Sequence, residues 1–428
     1  MNIETIRIDK YDEVLYKYQH QSGLNCFVIP KKGYYKKHAT FATYYGSIDN
    51  EFVIPGETSS TVVPDGIAHF LEHKLFEQKD GSVMDKFAAL GSRPNAFTSF
   101  NQTAYLFSCT DEFPQNFELL LNFVQNPYIT QESVEKEKDI IGQEINMYQD
   151  DPGWRVSFNL LDAFYKNHPV KLDIAGSIES ISKIDRELLY KCYNTFYHPS
   201  NMVIIVVGDV DYQEVFSQID KCIKPVAKME PIKRIFKEEG AGLNKQYNEK
   251  NMPVSTPLFY FGFKDLNFTL SGVEKVKYEI AVKLLLQMLI GKSSELYTEL
   301  YEKGLVNSNF EMDFLMENSY AHSMIGGESN YPEKVRDSFA ELIERINKQG
   351  LDQQQFNRVL KASKGRYLKL LNSPESITRL FMNAYFKGVS MFDYLEVYDT
   401  IGFDYVEKVF KMHFDTNRMA LSVVKQKQ

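Results

Sequence analysis

Between residues 65 and 76 the chain sets Ile67, Phe70, Leu71 and Leu75 at the i, i+3, i+4 and i+8 spacing of one helix face. His69, Glu72 and His73 fall on the opposite face. A helix is expected over about 65–77, entered through Pro64 and N-capped by Asp65. Before it, residues 1–50 alternate like strands, most clearly at 24–30 and 39–46, with Lys31-Lys32-Gly33 as a turn. After it, helical spacing recurs over about 82–90 (closed by Gly91), 113–125, 131–149 (stopped before Pro152), 156–166 and 186–196. Residues 103–109 read as a strand. Met202–Gly208 is an apolar run of strand length, expected at the centre of a sheet.

Periodicity fades over 224–252, where Pro, Lys, Glu and Gly are scattered. This stretch is expected to be a linker between domains 1–223 and 253–428. The second half then repeats the first. Tyr197–Val207 is similar to Phe414–Val424, and Gly91…Asn95-Ala96-Phe97 is similar to Gly304…Ser308-Asn309-Phe310. The same alignment carries Ile67-Ala68 onto Ile280-Ala281, and His69, Glu72 and His73 onto Val282, Leu285 and Leu286. The helix recurs without its polar triad, so the triad is not needed to hold the helix.

Composition sets the class. The chain has 428 residues, 43% hydrophobic and 25% charged, which suits globular domains with large cores. A net charge of −8 with no Lys/Arg run argues against a nucleic-acid partner. No apolar run has the length of a membrane span, and the first residues lack the apolar core of a signal peptide. Cys26, Cys109, Cys192 and Cys222 are widely spread, as in a reduced, cytoplasmic protein. Gly-x-Ser-x-Gly, P-loop and Rossmann glycine patterns are absent.

The polar face of the 65–77 helix carries the chemistry. Histidines four apart point the same way, so both imidazoles can reach one metal ion. Glu72, on the same turn, can reach a water in the open position of such a site and act as general base. His-x-x-Glu-His is a zinc hydrolase arrangement; two solvated histidines are the plain alternative. A third ligand is expected from the helix 134–145. Glu144 there has Ile140, Ile141 and Ile145 around it, and a carboxylate on so apolar a stripe needs a partner. Glu137, seven residues earlier on the same face, is expected to orient a ligand. His168 and His198 precede prolines and read as turn residues.

Taken together, His69-Phe-Leu-Glu-His73, Glu137 and Glu144, Asn95-Ala-Phe-Thr98 with Thr103-Ala-Tyr105, and Tyr197-His-Pro-Ser-Asn-Met202…Gly208-Asp209 resemble the pitrilysin/insulinase family of zinc peptidases, the inverzincins. The chain is similar to the short bacterial processing-peptidase-like members. The resemblance implies an α+β fold of two homologous α/β-sandwich domains, each a mixed, mainly antiparallel sheet with helices on one face. It implies Zn²⁺ held by His69, His73 and Glu144, with Glu72 and Glu137 as catalytic residues. It implies peptide substrates taken into a chamber and added as a strand at Asn95, Ala96, Phe97 and Thr98.

One departure stands out. Family members usually present an Arg and a Tyr, seven residues apart, to the substrate carbonyl. The matching stretch, Glu299–Asn307, has no Arg. The expectation is therefore a metal-bearing subunit paired with a homologous chain that supplies the Arg/Tyr pair, with a homodimer as the other arrangement. The alternatives are a non-catalytic scaffold or peptide-binding subunit, and a metal hydrolase of another substrate class.

Overall fold

The computed structural model describes residues 2–427. In chain order the elements used below are β1 (Ile3–Ile8), β2 (Glu13–Gln19), β3 (Asn25–Pro30), β4 (Lys37–Thr43), α1 (Ile67–Leu75), β5 (Arg93–Thr98), β6 (Thr103–Cys109), α2 (Gln131–Asp150), α3 (Pro152–Phe164), β7 (Met202–Gly208), β8 (Tyr247–Asn251), β9 (Leu258–Asp265), α4 (Gly272–Ile290), β10 (Glu311–Met316), β11 (Ala321–Glu328), α5 (Gln353–Leu370), α6 (Pro374–Lys387) and β12 (Met419–Lys425).

Two compact units form. The first holds residues 1–145, 172–236 and 371–383. Its sheet has the order β1-β2-β3-β7-β4-β6-β5. β7 runs parallel to β3 and antiparallel to β4, and each of its seven residues is buried. That is why its sequence is apolar without alternation: both faces are covered. At the far side β5 pairs only with β6, so it is an edge strand.

The second unit holds residues 146–171, 237–370 and 384–428. Its sheet, β8-β12-β9-β11-β10, repeats the connectivity of β3-β7-β4-β6-β5, including the one parallel pair, β8 with β12. The internal repeat in the sequence is thus a repeat of sheet topology. α4 lies in its core, with Ile280, Val282, Leu285 and Leu289 all buried. The fold is α+β in two domains of mixed, mainly antiparallel sheet.

The boundary drawn from sequence needs correction. The first unit runs on to residue 236, and Lys233–Arg234 pairs with Glu51–Val53. Residues 247–251, placed in the linker, are the strand β8. Its residues alternate between exposed and half-buried with none fully buried, so no apolar pattern announced it. The units also exchange helices. α3, from the first half of the sequence, belongs to the second unit. There Val156 packs with Met252 and Val424, and Asn248 Nδ2 donates to the Asn159 carbonyl at 2.9 Å. Residues 374–383 of α6, from the second half, belong to the first unit. There Phe381 lies 4.6 Å from Phe27, and Gln102 Nε2 donates to Asn383 Oδ1 at 2.7 Å.

Candidate metal centre

α1 is held at its start by a close backbone approach. Asp65 does not cap it; its Oδ1 accepts from Asn50 Nδ2 at 2.9 Å. The N-cap is Gly66, at φ +89°, and a Cβ there would lie 2.3 Å from the Ala175 carbonyl oxygen. Only glycine fits a position that combines that φ with that contact. Ile67, Phe70, Leu71 and Leu75 are buried, as their spacing requires. His69 and Glu72 are also almost fully covered, at 8% and 9% exposure, so the polar face lines a cleft rather than open surface.

α2 brings Glu144 across from α1. Glu144 Oε1 lies 3.6 Å from His69 Nε2, and its Oε2 lies 3.5 Å from His73 Nε2. These separations are too long for good hydrogen bonds. They are close to the roughly 3.4 Å edge of a tetrahedron whose metal–ligand bonds are about 2.0–2.2 Å. Among the described residues, these three are the group of His, Cys, Asp or Glu side chains whose donor atoms converge within 4.8 Å. His69 Nδ1, the ring nitrogen other than the one near Glu144, is buried with no hydrogen-bond partner among the described residues. The donor set, two imidazoles and a carboxylate, suits zinc.

Glu137 stands behind His73. Its Oε1 accepts from His73 Nδ1 at 3.0 Å, which leaves Nε2 as the lone-pair nitrogen facing the cleft. Its Oε2 accepts from Lys74 Nζ at 3.3 Å. Burial works against charge on Glu137, but the His73 bond and the Lys74 ammonium outweigh it, and the carboxyl lies below its usual range. Lys74 is 1% exposed and also reaches the Ser133 carbonyl and Glu77. The sequence reading missed Lys74. Its signal was available: it lies three residues after Leu71 and seven after Ile67, a charge on the apolar face.

Glu72 is placed by the edge strand. Thr98 Oγ1 donates to Glu72 Oε2 at 2.6 Å, and Thr103 Oγ1, 3.3 Å from the Thr98 hydroxyl, donates to the Tyr45 carbonyl. Burial pushes the Glu72 carboxyl upward, while Thr98 and the two histidines pull it down; the net direction is up. Thr98, expected at the substrate edge, thus also hydrogen-bonds Glu72. Asn95, Ala96 and Phe97 lie on β5 opposite Leu106, Tyr105 and Ala104, and the other side of the strand has no sheet partner. Ile140, expected beside Glu144 in the apolar stripe, is 56% exposed; only Ile141 and Ile145 are buried. Glu137 and Glu144 are half-buried between the exposed Ile140 on one side and the buried Ile141 and Ile145 on the other.

His168 and His198 are turn residues, with ring nitrogens accepting from the Val170 and Ser200 amides. In Glu299–Asn307, Asn307 Nδ2 donates to Glu328 Oε2 at 2.7 Å. A Ser323–His413–Asp265 chain has the contacts of a hydrolase triad, at 2.9 and 2.5 Å, but all three side chains are buried at 0–1% exposure. It lies enclosed within the second unit.

Residues 56–177 match the family described as Insulinase (Peptidase family M16), and residues 183–363 match the Peptidase M16 inactive domain. The chain is 42% identical to the Bacillus subtilis protein named uncharacterized zinc protease YmfH, over 99% of each. A crystal structure of an M16-like peptidase from Alicyclobacillus acidocaldarius is 33% identical, with a TM-score of 0.92, covering 100% of this chain and 99% of that one. A Helicobacter pylori protease shares the fold at 19% identity, with a TM-score of 0.80 and coverage of 99% of both chains.

Proposed function

Since this chain belongs to the insulinase family of peptidases, family M16, we propose that it is a zinc-dependent endopeptidase in which His69, His73 and Glu144 hold the ion and Glu72 moves the proton. The observation that carries this reading is the convergence of the two Nε2 atoms on the Glu144 carboxylate at 3.5 and 3.6 Å, with Glu72 beside them fixed by Thr98. When bound, zinc supplies Lewis acidity and lowers the pKa of a coordinated water towards about 7.

The rest is done by the chain's own residues. His73 is held in one tautomer by Glu137, and Glu137 is kept charged by Lys74. Glu72 has one oxygen engaged by Thr98 and the other free to take the proton of the attacking water. It then returns that proton to the leaving nitrogen. An extended peptide adding to β5 at Asn95–Thr98 passes beside Thr98, and so beside the base. The substrates in this reading are peptides or unfolded segments that enter a chamber closed by a second homologous chain. That chain, in a heterodimer, would supply the Arg/Tyr pair absent from Glu299–Asn307; a homodimer is the alternative assembly. All four cysteines are free, as suits the cytoplasm.

A second reading, a non-catalytic peptide-binding scaffold, draws on that missing pair. Hydrolysis of a mixed pool of unstructured peptides by the zinc-loaded chain, beside Glu72→Gln, separates the two. Loss of about 10²–10⁴ in rate with zinc retained supports the peptidase. Stoichiometric zinc with no cleavage, alone or with a homologous Arg/Tyr chain, supports the scaffold.

A further inference from the structure

The second unit keeps the architecture of the metal cleft and changes its chemistry. α4, α5 and β10 occupy the places of α1, α2 and β5 in the repeated topology. Aligning Gln131 with Gln353, the first residues of α2 and α5, puts Arg366 where the first unit has Glu144. The hairpin register corrects the sequence match of Asn95 with Ser308: Thr98 faces Thr103 as Met316 faces Ala321, so Asp313 stands where the first unit has Asn95. The repeat in the sequence puts Leu286 where it has His73. Leu286, Asp313 and Arg366 all line one cavity of about 220 Å³, together with Lys283, Gln287 and Tyr398. The counterpart of the metal cleft is therefore still a recess, and a guanidinium stands in it where the first unit has a carboxylate.

The polar groups of this recess are mainly donors. Arg366 donates one N–H to Ser363 Oγ at 2.8 Å, and among the described residues no carboxylate forms a salt bridge with it. The Lys283 ammonium pairs with Glu279 at 2.7 Å, but Glu279 is shared with Lys387 at 3.2 Å and the Tyr394 hydroxyl at 2.8 Å. The carboxylate on this wall is Asp313, exposed on the edge strand, with Oδ1 accepting from the Phe314 N–H at 2.8 Å and Oδ2 left for a ligand. A planar guanidinium fork matches a carboxylate in two-point fashion. A rim carboxylate repels phosphates but accepts an N–H, and the volume suits about one amino-acid residue rather than a nucleotide.

We propose that this cavity binds the carboxyl terminus of a peptide, with the terminal carboxylate on Arg366 beside Lys283 and the N–H of the last residue on Asp313. The site needs no metal, so it can be tested apart from the peptidase reading. The experiment is fluorescence anisotropy on the metal-free full chain. The probes are an N-terminally labelled pentaalanine with a free C-terminus and its C-terminal amide. The free acid should bind at least about tenfold more tightly, the size of one charge-assisted two-point contact. In Arg366→Gln, a change on an exposed helix position, the two should bind within about twofold. Lys283→Met should narrow the preference in the same direction. Equal binding of acid and amide, no binding of either, or a preference that survives Arg366→Gln overturns the proposal. Displacement of the acid by inorganic phosphate at lower concentration than by acetate overturns the carboxylate assignment. An acid preference in a chain that hydrolyses nothing, alone or with a homologous Arg/Tyr chain, would leave this site standing and remove the peptidase reading instead.

Discussion

Thr98 Oγ1 lies 2.6 Å from Glu72 Oε2, so the residue read as general base is held by a hydroxyl from the sheet edge where peptide is expected to dock. Thr98→Val keeps the shape and removes the donor. It should lower kcat about tenfold, the order expected when one charge-assisted hydrogen bond to a catalytic group is lost. Zinc content should stay unchanged, and Thr98→Ser should recover most of the rate. Equal rates for threonine and valine would show that the bond does not position Glu72.

Lys74 is a buried cation whose partners are carboxylates and a carbonyl, and through Glu137 it reaches His73. Lys74→Met should weaken zinc binding about tenfold, measured by chelator competition, because partners behind a ligand carry about 10–100-fold in metal affinity. In a Glu137→Gln background the same change should have little further effect, since the two act along one path. Additive losses would mean that Lys74 supports the helix and not the ligand.

Glu279 gives the second unit an acid-sensitive core. Burial raises its pKa, but Lys283, Lys387 and the Tyr394 hydroxyl outweigh this and bring it from 4.5 down to about 2. A folded pKa below the unfolded one means stabilisation that is complete above about pH 4.5 and is lost as pH falls towards about 2. The amount is on the order of 3 kcal/mol. Thermal unfolding followed from pH 7 to pH 2 should show this loss, and Glu279→Gln should flatten that part of the profile while lowering stability at neutral pH. A variant profile parallel to that of the wild type would contradict the assignment.

Gly66→Ala forces a Cβ against the Ala175 carbonyl at a positive φ. Strain of this kind costs about 1–3 kcal/mol, and the contact adds to it. A lower melting temperature is expected, with weaker zinc binding because α1 begins at this residue. An unchanged melting temperature would show that the loop at 175 yields freely.

The sequence was most legible where one periodicity and one environment coincide. Met202–Gly208 is apolar throughout because both its faces are covered, and residues 113–125 and 186–196 alternate cleanly between core and solvent. The spacing of His69, Glu72 and His73 is set by one helix and could be read directly. Less legible were features fixed by contacts distant in sequence. Asp65 looks like an N-cap, but the Ala175 backbone takes the space beside Gly66 and the entry turn is left-handed. Thr98 sits in an edge-strand motif, yet its hydroxyl turns to α1. β8 carries little apolar signal because it borders its sheet. The helix exchange leaves no local mark, since α3 and α6 look like ordinary amphipathic helices whichever sheet they cover.

That exchange bears on what this chain is as a topological object. Each half of the sequence lacks one helix of its own unit and carries one that belongs to the other. A half synthesised alone would leave its sheet partly bare and its lent helix without a sheet, whereas two identical copies could satisfy both by trading helices. The connectivity is that of a swapped dimer written as one polypeptide. Duplication inside one chain also lets the two copies diverge residue by residue, which no symmetric dimer permits. One copy can keep His69, His73 and Glu144 while the other places Leu286 and Arg366 in the equivalent recess.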